Sequence, residues 1–92
     1  MENTRQRPRV PIGFRRDAIV SLEAELDRNL DENGTGTFAS THEILGVLTE
    51  EYTKLIAAVR SNEVSDVRKK LLALAVGCVF AVACIDAQTL DW

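Results

Sequence analysis

The sequence predicts an all-α chain in which a second and a third helix form an antiparallel hairpin beside an N-terminal helix, with copies assembling into an oligomeric four-helix-type bundle. Three observations carry this. The 92 residues are 46% hydrophobic but only 5% aromatic, and no segment alternates apolar and polar residues as a half-buried strand does. Apolar residues recur at intervals of three and four over two long segments, the period of one helix face. Finally, Leu71 to Ile85 is a run of 15 residues without a charged or amide side chain. A helix that is apolar all round is buried all round, yet a chain this short buries only about 60 to 65% of its extended surface. A second copy is the expected cover, giving a homo-oligomer, dimer or tetramer.

Residues 1–13 are expected to form a basic flexible arm and residues 14–92 a single helical domain. Pro8 and Pro11 keep the arm out of helix, and Gly13 adds a second break. Arg5, Arg7, Arg9, Arg15 and Arg16 stand against Glu2 in the first 16 residues, a net +4, which leaves −7 for the rest of a chain of net charge −3. Such an arm suits nucleic acid in principle. No aromatic residue interleaves the arginines before Phe14, however, and no reading helix follows. The arm therefore reads as a solvated or partner-hugging tail, with no nucleic-acid partner.

The first helix is expected to begin near Phe14 to Asp17. Ala18, Ile19, Leu22, Leu26 and Leu30 form its apolar stripe, facing a core, with Glu23, Asp27 and Asp31 as a solvated ridge opposite. Asn33-Gly34 supplies an αL stop. Residues 33–40, Asn-Gly-Thr-Gly-Thr-Phe-Ala-Ser, make a long loop whose glycines lack the following lysine of a P-loop; Phe38 is expected to tuck beneath the bundle. Ser40-Thr41-His42-Glu43 has the form of a capping box and starts the second helix.

That helix is expected from about Thr41 to Arg60, burying Ile44, Leu45, Leu48, Tyr52, Leu55, Ile56 and Val59. Glu51 falls on the border of this face, about 60° from its centre, while Glu50 points to water and is placed to pair with Lys54 at i,i+4. Ser61-Asn62 makes the turn into a third helix, from about Glu63 to Gln88 and roughly 39 Å long. Ala73, Gly77 and Ala81 recur every four residues as a small-residue groove that admits another helix closely. Together with Phe80 and Cys84 they are the expected oligomer interface, and Gly77→Leu is expected to break assembly before helicity. Cys78 and Cys84, six residues apart on one helix, diverge and cannot bridge; both read as small, reduced core residues. Leu90 and Trp92 either fold back on the bundle, contact a partner, or fray.

The apolar run is shorter than the roughly 20 residues of a membrane span and is flanked by Arg68-Lys69-Lys70 and by Asp86. With a polar, basic N-terminus, the chain is expected to be cytoplasmic, with neither signal nor anchor.

The stretch Ser40-Thr41-His42-Glu43-Ile44-Leu45-Gly46-Val47-Leu48-Thr49-Glu50-Glu51, followed by a short turn and a lysine-rich start to an apolar helix, resembles the MazG-like all-α nucleotide pyrophosphohydrolases over about residues 17–88. Members carry Glu-Glu-x-x-Glu on one helix and Glu-x-x-Asp on the next. Those acids hold magnesium, which binds a nucleoside triphosphate and assists water attack between its phosphates. The resemblance places Glu50 and Glu51 at the first two acids. It places Lys54 at the third, and Lys70 and Ala73 at the second element. Magnesium demands hard oxygen ligands in near-octahedral geometry, a two-metal phosphoryl site needs several convergent carboxylates, and a lysine ammonium repels the cation.

The resemblance therefore implies a scaffold without hydrolysis and without a cofactor, acting by self-association or by binding a partner or nucleotide. Lys54 and Lys70, where they converge, would hold a phosphate in place of the metal. The alternative is a magnesium-dependent nucleoside triphosphate pyrophosphohydrolase drawing its acids from Glu50, Glu51, Glu43, Asp66 or a partner subunit. His42 and Glu43 are adjacent and diverge, so they make no acid–base pair. The sequence has no Cys-x-x-Cys or His-x-x-x-His signature and no serine or cysteine one turn from a histidine.

Overall fold

The computed structural model describes residues 6–91, in which α1 spans Ile12–Asn33, α2 Thr41–Ser61 and α3 Val64–Asp86, with no strand among the described residues. Residues 1–5 of the expected arm and Trp92 lie outside the described residues. Residues 6–11 are exposed and non-helical. The helix starts at Ile12, earlier than the sequence pattern suggests, because Pro11 initiates rather than blocks it. Pro11 occupies the N-cap and its carbonyl accepts from the Phe14 N–H at 3.1 Å. A proline there loses only an N–H that has no intrahelical partner anyway.

The other boundaries follow local chemistry. Gly34 ends α1 with φ 85 and ψ 174 while its N–H donates to Leu30 O. This is not the αL cap expected from Asn33-Gly34 but a more extended conformation that glycine alone adopts readily. At the start of α2 the Ser40 hydroxyl accepts from Glu43 N at 3.3 Å, and the Glu43 carboxylate accepts from Ala39 N at 2.6 Å. This is the reciprocal pattern of a capping box, reaching one residue further back. Ser40→Ala is expected to cost about 1 kcal/mol, read as a lower midpoint in thermal or urea unfolding followed by circular dichroism. Asn62, at φ 61 and ψ 23, turns the chain from α2 into α3.

The third helix is the shared neighbour. It packs along α2 as the expected hairpin and against α1, whereas the α1 and α2 backbones do not meet. Gly77 explains the close approach of the hairpin: a Cβ there would lie 2.8 Å from Leu48 Cδ2. The core is small, with Ala58, Val76, Ala81 and Cys84 its fully buried apolar residues. Phe38 closes one end against Phe80, ring centroids 5.7 Å apart. The C-terminal tail folds back over the same loop. Asp91 N donates to Ala39 O at 2.7 Å, the Thr37 and Thr89 hydroxyls bond at 2.6 Å, and Leu90 is half-buried.

Much apolar surface stays uncovered, contrary to several expectations. Of the expected α1 stripe Leu22, Leu26 and Leu30 are half-buried, whereas Ala18 and Ile19 are exposed, lining an open groove beside α3. On α2, Leu45, Tyr52 and Val59 face away from α3 and are exposed. Cys78 is exposed while Cys84 is buried; both are free thiols. On the small-residue face, half-buried Gly77 approaches Leu48 of α2 in the same chain, and Ala81 and Cys84 are buried. On an adjacent face of α3, about 110° round the helix, Val64, Leu71, Cys78, Val82 and Ile85 are exposed, and at 100° per residue they fall within about 60° of one another.

The overall shape reflects this. The radius of gyration is 16.2 Å, against about 12 Å for a compact domain of this length. The accessible surface is 7394 Å², against about 5,300 Å² for a compact monomer of this mass. The exposed, non-helical residues 6–11 and the uncovered helix faces both contribute. No helix among the described residues is long and apolar enough to cross a membrane.

Candidate functional site

The three helices enclose a cleft of about 390 Å³, and its wall is dominated by charge. Glu25 and Arg28 come from α1, Glu51 and Lys54 from α2, and Arg68, Lys69 and Lys70 from the first turns of α3, over an apolar floor of Leu72 and Ala73. Helical spacing explains the α2 pair: Glu51 and Lys54 are three residues apart and so share a face. The α3 cations are consecutive and radiate from the helix, so they surround a cleft only because α1 and α2 pack on adjacent sides.

Each ion pair in the cleft is local to one helix. Lys54 Nζ is 3.6 Å from Glu51, whose side chain is 23% exposed, and Lys70 Nζ is 3.8 Å from Asp66. Lys54 thus pairs with Glu51 rather than with Glu50, because Glu51 turns toward α3 while Glu50 is exposed. Arg28 donates to Glu25 and to Glu32. The hydrogen bond to Glu25, then the charges of both carboxylates, push its pKa further up, so it is a permanent cation. Arg68 donates to Ser21 Oγ at 3.1 Å, and Lys69 has no carboxylate partner among the described residues. The lining holds five cations against two carboxylates, and Glu32 and Asp66 pair with Arg28 and Lys70 from beside it, which leaves the cluster a net +1.

Of the residues singled out from the sequence, Lys54 and Lys70 come together here, with Glu51 beside them. Glu50 faces water. Glu43 is eight residues before Glu51, about 12 Å along the helix axis, and its carboxylate is engaged by the loop at Ala39 N. Asp66 is drawn to Lys70. These acids do not converge, and among the described residues no group of three His, Cys, Asp or Glu is arranged to hold a metal ion. The donor set at the position implied for magnesium therefore does not fit: Glu51 is the one carboxylate facing in from α2, and an ammonium lies against it.

Arg28, Arg68 and Lys69 were not legible as site residues. Arg28 belongs to a helix with no motif, and Arg68-Lys69-Lys70 reads as a solvated helix start until α1 and α2 are in place. A second feature is an apolar groove of about 420 Å³ between the first half of α1 and α3, lined by Ile19, Leu22, Leu71 and Ala75 among others. No model of a known protein family, no curated protein and no solved structure matches this chain.

Proposed function

We propose that this chain is a self-associating helical protein on a pyrophosphohydrolase-like scaffold without hydrolase chemistry, and that a second copy covers the exposed stripe of α3. One observation carries the reading. Val64, Leu71, Cys78, Val82 and Ile85 form an uninterrupted apolar line on a face of α3 beside the one that meets α2, with Leu71 50% and Val82 55% exposed. Positions 64, 71, 78 and 85 repeat every seven residues, the spacing that lets two helices pack knobs into holes. The last half of α1 runs beside Ala73, Val76, Gly77 and Phe80, and leaves Cys78, Val82 and Ile85 exposed among the described residues.

Sedimentation equilibrium at micromolar concentration tests this: a species of two or four chains is expected, and a single 10.2 kDa species sinks it. The absence of hydrolysis has its own check. With magnesium and mixed nucleoside triphosphates the protein is expected to release neither pyrophosphate nor monophosphate. Release that disappears in Glu51→Gln would restore the enzyme reading.

A further inference from the structure

We infer that the cleft between the three helices is a metal-independent binding site for a small ligand carrying two or more linked phosphate groups. Charge is the first support. Five cations face two carboxylates in the lining, and neither Arg68 nor Lys69 is neutralised by a carboxylate of the described residues. Consecutive charges at Arg68, Lys69 and Lys70 repel one another, and an anion in the cleft relieves that repulsion. The existing pairs lie at the surface, the tightest being that of Arg28 with Glu25 and Glu32. Lys54–Glu51 and Lys70–Asp66 are long, at 3.6 and 3.8 Å, and partly exposed, and such pairs are worth about 0–1 kcal/mol.

Shape is the second support. The cleft volume of about 390 Å³ lies within the range of about 300–1,000 Å³ typical of small-molecule sites. Its cations come from all three helices, an arrangement that suits a chain of phosphates better than a single orthophosphate. Arginine contributes paired donors for phosphate oxygens and lysine a point charge. Because Arg28 is on α1 and Lys54 on α2, a bound ligand also links α1 to α2, whose backbones do not meet.

Inorganic tripolyphosphate and a nucleoside triphosphate share this chemistry. Titration calorimetry on the full chain, in EDTA at low salt, uses tripolyphosphate, ATP and orthophosphate as probes. Tripolyphosphate is expected to bind at least tenfold more tightly than orthophosphate, with affinity falling steeply as salt rises. ATP binding tighter than tripolyphosphate assigns the base a share of the site, and equal affinity assigns the phosphates alone; either supports the inference.

Lys69→Glu is expected to weaken tripolyphosphate at least tenfold. Glu51→Gln is expected to strengthen it, because a repelling carboxylate is removed, which is the opposite of its effect on a metal-dependent site. Arg7→Ala with Arg9→Ala, in the arm, is expected to change nothing. Circular dichroism of each variant confirms the helices are intact. Three results overturn the inference: no binding of tripolyphosphate without magnesium, unchanged affinity in folded Lys69→Glu, or loss of binding in the arm variant.

Discussion

Gly77→Leu is expected to lower the melting temperature of the protein by roughly 8–16 °C, corresponding to a net loss of about 2 kcal/mol. The physical reason lies inside one chain. Even a Cβ at position 77 would lie 2.8 Å from Leu48 Cδ2, and a leucine adds three more carbons where α2 and α3 are in contact. Overpacking of this kind costs about 1–3 kcal/mol, with this case at the upper end. Relief of the glycine helix penalty returns about 1 kcal/mol. Gly77→Ala separates the two terms: the clashing atom is the far end of a flexible side chain, so a rotamer shift at Leu48 absorbs it. The alanine variant is expected to melt within about 5 °C of the parent, since the shift and the propensity gain nearly cancel. A leucine variant that melts like the parent but sediments as a lone chain would return Gly77 to an intermolecular contact and remove it from the hairpin.

Val82→Asp is expected to weaken self-association more than 100-fold while leaving the helices of the subunit intact. Val82 is 55% exposed on the single chain, and surface substitutions of this kind usually change subunit stability by no more than about 0.5 kcal/mol. In an assembly seamed along α3 the same position is enclosed. The aspartate then forfeits apolar burial and places a charge in a desolvated interface. A two-fold axis imposes that cost twice, so a total of about 3 kcal/mol or more follows, and each 1.4 kcal/mol is a factor of ten in affinity. Sedimentation velocity across a dilution series, with circular dichroism alongside, reads both quantities. Unchanged association would place the interface elsewhere, the apolar groove of α1 and α3 being the next surface to test. Unfolding of the variant would show instead that Val82 is enclosed within the subunit.

The helices themselves were legible because their causes are local. Ser40 and Glu43 announce the start of α2, Asn62 its end, and three-and-four spacing the extent of each element. Glu51 as the inward member of the acid pair was also legible, since a 100° step per residue separates it from Glu50. Side-chain partnership was not. Lys54 chose Glu51 over Glu50, a choice between two nearly equal helix spacings that the neighbouring α3 decides. Gly13 was misjudged as a break: it lies in the first turn of α1, which Pro11 starts from the N-cap position just outside the helix.

By itself the sequence determined an all-α chain with a hairpin of α2 and α3, the loop pinned by Phe38, and an apolar third helix too extensive for its own subunit to cover. Only the tertiary structure decided which side of that helix the subunit uses. Ala73, Gly77 and Ala81 mark a face suited to close packing, but residue spacing is indifferent to whether the approaching helix belongs to the same chain or another. The structure gives that face to α2 and leaves the Leu71–Val82 side open. It also gathered Arg28, Lys54, Arg68, Lys69 and Lys70 around one cleft. Long-range convergence of charges depends on how three helices cross, and that is set by the sum of their packing rather than by any local pattern.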